Sequence, residues 1–180
     1  MMGIERVRGI VLMGVSGSGK TTISQALAAR TGFTEQDGDD YHPAANIEKM
    51  KAGIPLTDDD RLPWLYAIAA AIDHYAESDT PVIIACSALK RSYRDILVHG
   101  RNDVRIVYLK GPPDLIAQRL TKRSGHFMPP SLLDSQIGVL EPPQPGEHIL
   151  TADIDAPVER IVDKIIAALH LPDTTGARAS

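Results

Sequence analysis

Eight consecutive residues, Gly14-Val15-Ser16-Gly17-Ser18-Gly19-Lys20-Thr21, match the phosphate-loop pattern G-x-x-x-x-G-K-[ST] at every fixed position. The glycines let the backbone turn tightly and aim its N–H groups at an anion. Lys20 is long enough to reach the β- and γ-phosphates of a nucleoside triphosphate, and the Thr21 hydroxyl suits Mg²⁺. Together with Thr22, the run from Gly14 forms the expected nucleotide-binding set. A second group, Asp37-Gly38-Asp39-Asp40, crowds three carboxylates that repel one another unless a cation or donors sit nearby. Asp37 suits water-mediated contact with Mg²⁺, and Asp39 suits orienting an acceptor hydroxyl and taking its proton. Alone, such a stretch reads better as a solvated acidic turn; opposite a phosphate loop, the catalytic reading is preferred.

Cations form the third set. Arg61, Lys90 and Arg91 follow or cap elements near the same edge, and arginine offers a planar fork matched to carboxylate or phosphate. Each by itself reads as surface charge; the set carries the reading. Arg119 and Arg123 lie four apart on one helical face. Gly125 then supplies a hinge, and His126-Phe127-Met128 is an apolar patch among polar residues. This describes either a lid over about residues 123–131 that brings Arg119 and Arg123 to the phosphates, or a basic helix face with an ordinary loop. His42 and His126 suit donation to an acceptor molecule. Neither has further ligands at metal-binding spacing.

The elements that must hold these groups alternate. Apolar runs are expected to form strands near residues 8–13, 81–86, 104–109 and 148–154, with a weaker strand near 33–36. Helices are expected from Thr22 to about Thr31, over 44–51, from about Leu62 to Glu77 with Pro63 in its first turn, after Arg91, over 112–123, over 132–140 and over 156–169. Pro55 to Arg61 reads as a polar turn, and residues 172–180 as a flexible tail. Five strands alternating with helices predict an α/β fold, a three-layer sandwich around a five-stranded parallel sheet, in one domain spanning 1–180. Ligands bind beyond the carboxyl ends of such strands, where each polar cluster falls. The strand ending Ala85-Cys86-Ser87 lacks the aspartate with which GTPases and motor ATPases hold Mg²⁺.

Composition agrees. The 180 residues are 43% hydrophobic and 23% charged, with a net charge of −4 that argues against a polyanionic partner such as nucleic acid. One cysteine, Cys86, excludes an internal disulfide and suits a reducing cytoplasm. No apolar run approaches the roughly 20 residues that cross a bilayer.

On these residues the chain resembles the gluconokinases, a family of P-loop small-molecule kinases. The resemblance rests on the phosphate loop and four further pieces: Asp37-Gly38-Asp39-Asp40 with His42-Pro43 and Asn46-Ile47-Glu48-Lys49-Met50; Pro55-Leu56-Thr57-Asp58-Asp59-Asp60-Arg61 with Pro63-Trp64-Leu65; Cys86-Ser87-Ala88-Leu89-Lys90-Arg91 with Tyr93-Arg94; and Gly125-His126-Phe127-Met128-Pro129. It implies a fold like that of nucleoside-monophosphate and shikimate kinases with a lid, and ATP-dependent phosphorylation of D-gluconate at its 6-hydroxyl with Mg²⁺. It also implies a homodimer. Gluconate's carboxylate suits Arg61, Lys90 and Arg91, and its primary hydroxyl suits Asp39. The sequence departs from the family pattern at Gln36 and at Tyr41, where leucine is more usual; neither removes a group the chemistry needs. Two other readings stay open: a kinase of the same fold with a different acceptor, and a module that senses ATP without turnover.

Overall fold

The computed structural model describes residues 5–122 and 130–175. Five strands form one parallel sheet: β1 (Gly9–Met13), β2 (Thr34–Asp37), β3 (Val82–Ala85), β4 (Val104–Lys110) and β5 (Leu150–Asp153), in the spatial order β2-β3-β1-β4-β5. Helices α1 (Lys20–Thr31), α2 (Ala44–Lys51), α3 (Asp58–Glu77), α4 (Arg91–Val98), α5 (Pro113–Thr121), α6 (Pro130–Val139) and α7 (Val158–Leu169) make the connections. The expected α/β sandwich is therefore present.

Strand side chains alternate between two cores, which is why the inner strands read as unbroken apolar runs. Ile10 and Leu12 of β1, Ile83 of β3, and Val107 and Leu109 of β4 pack with Ile23 and Leu27 of α1 and Ile161 and Ile165 of α7. On the other face Val11 and Met13, Ile84, and Val104 and Ile106 pack with Trp64, Leu65, Ile68 and Ile72 of α3 and Leu97 of α4. β2, Thr-Glu-Gln-Asp, is an edge strand that is half-buried at best, so it needs no apolar pattern.

Two boundaries differ from the sequence expectation. α3 begins at Asp58 rather than Leu62, so Asp58-Asp59-Asp60 is its first turn and Pro63 lies inside it. The cause is local. Thr57 accepts from the Asp60 amide at 3.1 Å while the Asp60 carboxylate accepts from the Thr57 amide at 2.9 Å. This reciprocal cap satisfies two orphan donors, and three acids favour a helix N-terminus. At the far end, Arg30 of α1 pairs with Asp173, and the Thr174 hydroxyl donates to the Arg30 carbonyl at 2.9 Å. Residues 173 and 174 are thereby tied to α1; 176–180 lie outside the described residues.

A cavity of about 450 Å³ sits at the amino end of β1 and β4, lined by Glu5, Arg6, Arg8, Arg101, Asn102 and Asp103. Its arginines are paired: Arg8 with Asp79 at 2.8 Å, Arg101 with Asp103 at 2.9 Å and Asp73 at 3.0 Å, and Arg6 with Asp79 at 3.7 Å. It lies at the sheet edge opposite the phosphate loop and the acidic turn.

Candidate active site

The phosphate loop joins β1 to α1, as its chemistry requires. Gly17 and Gly19 hold φ of +83° and +96°, the alternation that turns successive amides toward one concavity. A side chain at Gly17 would strike Leu120 of α5 at 2.7 Å. Three loop amides are engaged within the protein: Gly14 with the Ser87 carbonyl at 3.2 Å, Ser18 with that of Val15 at 3.1 Å, and Ser16 with Gln136 Oε1 at 2.7 Å. Gln136 of α6 also donates from Nε2 to Ser16 Oγ at 3.1 Å. Lys20 Nζ donates to the Gly14 and Val15 carbonyls at 2.8 and 3.1 Å. Thr21 and Thr22 are exposed in the first turn of α1. Arg119 donates to the Ile154 carbonyl at 2.9 Å, and its guanidinium lies 3.8 Å from where a Gly19 Cβ would stand. It therefore borders the phosphate loop. Arg123, His126 and residues 123–129 of the expected lid lie outside the described residues; 130 and 131 open α6.

Asp37 ends β2 beside Ala85 of β3. Its Oδ1 accepts from the Asp39 amide at 2.9 Å and so opens the 3-10 turn Gly38–Tyr41. Gly38 is required here because a Cβ would meet the Ala85 carbonyl at 2.4 Å. The turn is also held from α3, where Trp64 Nε1 donates to the Gly38 carbonyl at 2.7 Å. Crowding by the surrounding protein and the Asp37 charge push the Asp39 carboxyl above its ordinary range, against the pull of Lys20. Its side chain nonetheless remains 81% accessible, open to an acceptor. The two residues that depart from the family pattern touch: Tyr41 OH donates to Gln36 Oε1 at 3.4 Å.

His42 is stacked on Trp64, with ring centroids 4.3 Å apart and planes 11° from parallel. Its side chain is 4% exposed. Burial, then the nearby charge of Arg61, lower its pKa to about 4, so it is a neutral imidazole at physiological pH. Its tautomer follows from Asn46. Asn46 Nδ2 donates to the Asp60 carbonyl at 2.8 Å, which fixes the amide orientation, and lies 3.2 Å from His42 Nδ1. Nδ1 therefore accepts, and the proton sits on Nε2, 3.9 Å from Asp39 Oδ1.

The cationic set divides. Arg61 and Lys90 stand 5.8 Å from the centre of the Tyr93 ring. Lys90 Nζ lies 2.9 and 3.0 Å from the two oxygens of Asp58, Tyr93 OH donates to Asp58, and Arg61 donates to Tyr93 OH at 3.2 Å. Arg91 is exposed, its amide bound to Glu141 Oε2 at 2.9 Å and its charge acting on Glu147. Behind this loop Arg94, 2% exposed, pairs with Glu147 at 2.7 Å and donates to the Ala88 and Leu89 carbonyls at 3.1 Å each. Ala88 itself holds φ +47°. Asp58, Asn46 and Gln136 were not foreseen as site residues. Only the capping signal Thr57-x-x-Asp60 could have moved Asp58 from a turn onto a helix.

Among the described residues no cluster of three or more His, Cys, Asp or Glu could cage a metal. Mg²⁺ bound with a nucleotide does not need one, because phosphate oxygens and water fill most of its positions. An exposed Thr21 hydroxyl beside the phosphate loop and an exposed Asp37 carboxylate fit that demand.

A phosphate-loop strand-to-helix turn on a five-stranded parallel sheet, facing a carboxylate and a cationic cluster, defines a P-loop kinase of small molecules. Residues 10–143 match the family described as an AAA domain. The chain is 46% identical over 156 residues to the thermosensitive gluconokinase of Escherichia coli K12, covering 86% of this chain and 83% of that protein. A gluconokinase crystal structure from Sinorhizobium meliloti superposes with TM-score 0.82 at 45% identity, over 92% of this chain and 94% of that one. A shikimate kinase from Bacteroides thetaiotaomicron, 18% identical, shares the fold with TM-score 0.65 over 91% of this chain and 98% of its own. The chain belongs to the gluconokinase family.

Proposed function

We propose that this chain transfers the γ-phosphoryl group of ATP to the 6-hydroxyl of D-gluconate, releasing ADP and 6-phospho-D-gluconate. The observation that carries the reading is the convergence at one sheet edge of Lys20, Asp39 within reach of its charge, and the Arg61–Lys90–Tyr93 cluster. In this reading Lys20 exchanges the Gly14 and Val15 carbonyls for the β- and γ-phosphates and neutralises the charge that develops on them. Arg119, beside the phosphate loop, adds to that neutralisation, and Arg123 joins it from the lid. Mg²⁺, held by Thr21 and through water by Asp37, supplies further charge compensation on the phosphates when bound. Asp39 holds the 6-hydroxyl in line and accepts its proton. His42, its Nε2 3.9 Å from Asp39 Oδ1, is a polar neighbour of that carboxylate, and His126 donates to gluconate from the lid. Arg61, Lys90 and Arg91 read the carboxylate at the other end.

A cytoplasmic homodimer is part of the same reading. A lone buried Cys86 accords with a reducing compartment, and the exposed Ile47, Met50 and Ile54 offer apolar surface to a second copy. The test is ADP release, with Mg²⁺, across D-gluconate, D-glucose, shikimate and nucleoside monophosphates. Gluconate is expected to be the preferred acceptor. Glucose offers the same hydroxyl without the carboxylate and is expected to lose roughly 30-fold or more in kcat/KM, since a buried charge pair left half made costs about 2–5 kcal/mol. ATP binding without turnover of any acceptor, or comparable kcat/KM for glucose, refutes it.

A further inference from the structure

The cations assigned to the acceptor's carboxylate are not alone. Asp58 receives Lys90 on both carboxylate oxygens, at 2.9 and 3.0 Å, together with the Tyr93 hydroxyl, and Arg61 NH1 stands 3.9 Å from it. Lys90 and Arg61 are each about one-quarter exposed, whereas the Asp58 side chain is 60% exposed. Nothing about the first turn of α3 requires this pairing. The helix is already capped by Thr57 and Asp60, and Asp60 has its own cation, Lys49, at 2.8 Å. Asp58 could satisfy the helix N-terminus from any rotamer that faces solvent. Instead it reaches Lys90, 32 residues later in the chain.

We propose that Asp58 is a specificity-determining residue that sets the acceptor pocket for a single negative charge. Arg91 is balanced separately, its amide on Glu141 and its charge acting on Glu147, so Arg61 and Lys90 with Asp58 sum to one net positive charge. An acceptor bearing one carboxylate balances that charge. A dianionic terminus, such as a phosphate monoester, brings a second negative charge against Asp58, and a neutral polyol leaves Arg61 without its partner. Tyr93 keeps the three charges in register by donating to Asp58 while accepting from Arg61. The proposal rests on the reading that this cluster meets the carboxylate of gluconate.

The experiment compares wild type with Asp58→Asn, Lys90→Gln and the double variant. Acetate and sulfate serve as simple monoanionic and dianionic competitors of gluconate, at saturating ATP and constant ionic strength. The readout is the ratio of the two inhibition constants, acetate over sulfate. Removing one negative charge a few ångströms from the ligand is expected to raise this ratio about tenfold in Asp58→Asn. Lys90→Gln, which leaves no net charge, is expected to weaken both competitors. The double variant, again at one net positive charge, is expected to recover the wild-type ratio. If the ratio in Asp58→Asn stays within threefold of wild type, or the double variant fails to recover it, Asp58 is only a prop for Lys90 and the proposal is overturned. If neither anion competes with gluconate in wild type while gluconate still turns over, the carboxylate is read elsewhere. That outcome overturns this proposal and leaves the kinase reading standing.

Discussion

Replacing Asn46 by aspartate tests the orientation of His42 with almost no change of shape. Asn46 is 3% exposed, and its Nδ2 serves two acceptors, the Asp60 carbonyl at 2.8 Å and His42 Nδ1 at 3.2 Å. Aspartate presents an oxygen where that nitrogen stood. The Asp60 contact becomes acceptor against acceptor, so one hydrogen bond is lost and two buried oxygens are left facing each other. Losing a net bond worth about 1 kcal/mol and orphaning a buried carbonyl costs roughly 2–4 kcal/mol together. The His42 contact survives only with a proton on Nδ1, which comes from Nε2 at alkaline pH, where the ring holds a single proton; the kinetics are read there. Nε2 then turns a lone pair toward Asp39, 3.9 Å away, and a polarised N–H near the carboxylate is replaced by a repelling lone pair. A misplacement of that kind at the reacting hydroxyl is worth roughly 10–100-fold in kcat. Asn46→Ala is the control, since it also costs stability but lets the imidazole keep Nε2–H. The assays are urea unfolding and steady-state kinetics with gluconate varied at saturating ATP. If Asn46→Asp loses stability but keeps kcat within threefold of Asn46→Ala, the tautomer of His42 has no part in the reaction.

Further outcomes concern the role of Asp39 and the pH dependence of stability. Asp39→Asn should lower kcat by roughly 10²–10⁴-fold with little change in ATP affinity by calorimetry, while Asp40→Asn should do less; the reverse order would put the base at Asp40. In wild type the acid limb of kcat/KM, which reports the free enzyme, should lie above the ordinary carboxylate range, with rate rising as pH rises through it, because Asp39 is shifted upward by crowding and by Asp37. Stability should follow His42 at higher pH. The unfolded imidazole binds a proton near its ordinary 6.5 and the folded one only near about 4, so this contribution is complete above 6.5 and lost as pH falls toward 4. Asp60 is held down to about 2 by Lys49 and the Thr57 cap, so a second loss should run from about pH 4 to 2. His42→Gln should flatten the first window and leave the second, read as the urea midpoint against pH.

The fold around the phosphate loop was legible because its signals are local. The phosphate loop is one contiguous pattern, and the strands on either side of it read from short apolar runs that two cores later account for. The placement of Asp39 at the ligand-binding edge was legible for the same reason, since it follows a strand there. What escaped depends on residues far apart in sequence. Three consecutive aspartates read as a turn; that Asp58 is spent on Lys90 and Asp60 on Lys49 is decided only when α3 meets the loop after β3 and the end of α2. His42 read as a donor, but the side that donates is set by Asn46 and a backbone carbonyl on another helix. Gln136 reaches Ser16 across 120 residues, and no spacing rule announces such a contact.

The Arg94–Glu147 pair has a consequence for how the chain comes to exist. The loop that carries Lys90 bends through Ala88, a residue at φ +47°, and its carbonyls there are held by a guanidinium that is almost wholly enclosed. That guanidinium is neutralised by a carboxylate 53 residues later. A nascent chain on the ribosome can therefore complete β1, the phosphate loop, β3 and α4 while Arg94 still lacks its counter-charge. An enclosed cation without a partner costs about 3–5 kcal/mol, enough to keep the loop from closing. Synthesis and folding thus acquire an order in time. The loop that carries Lys90 is set only once the segment just before β5 has emerged and docked, and Arg119 beside the phosphate loop waits longer still, for the Ile154 carbonyl.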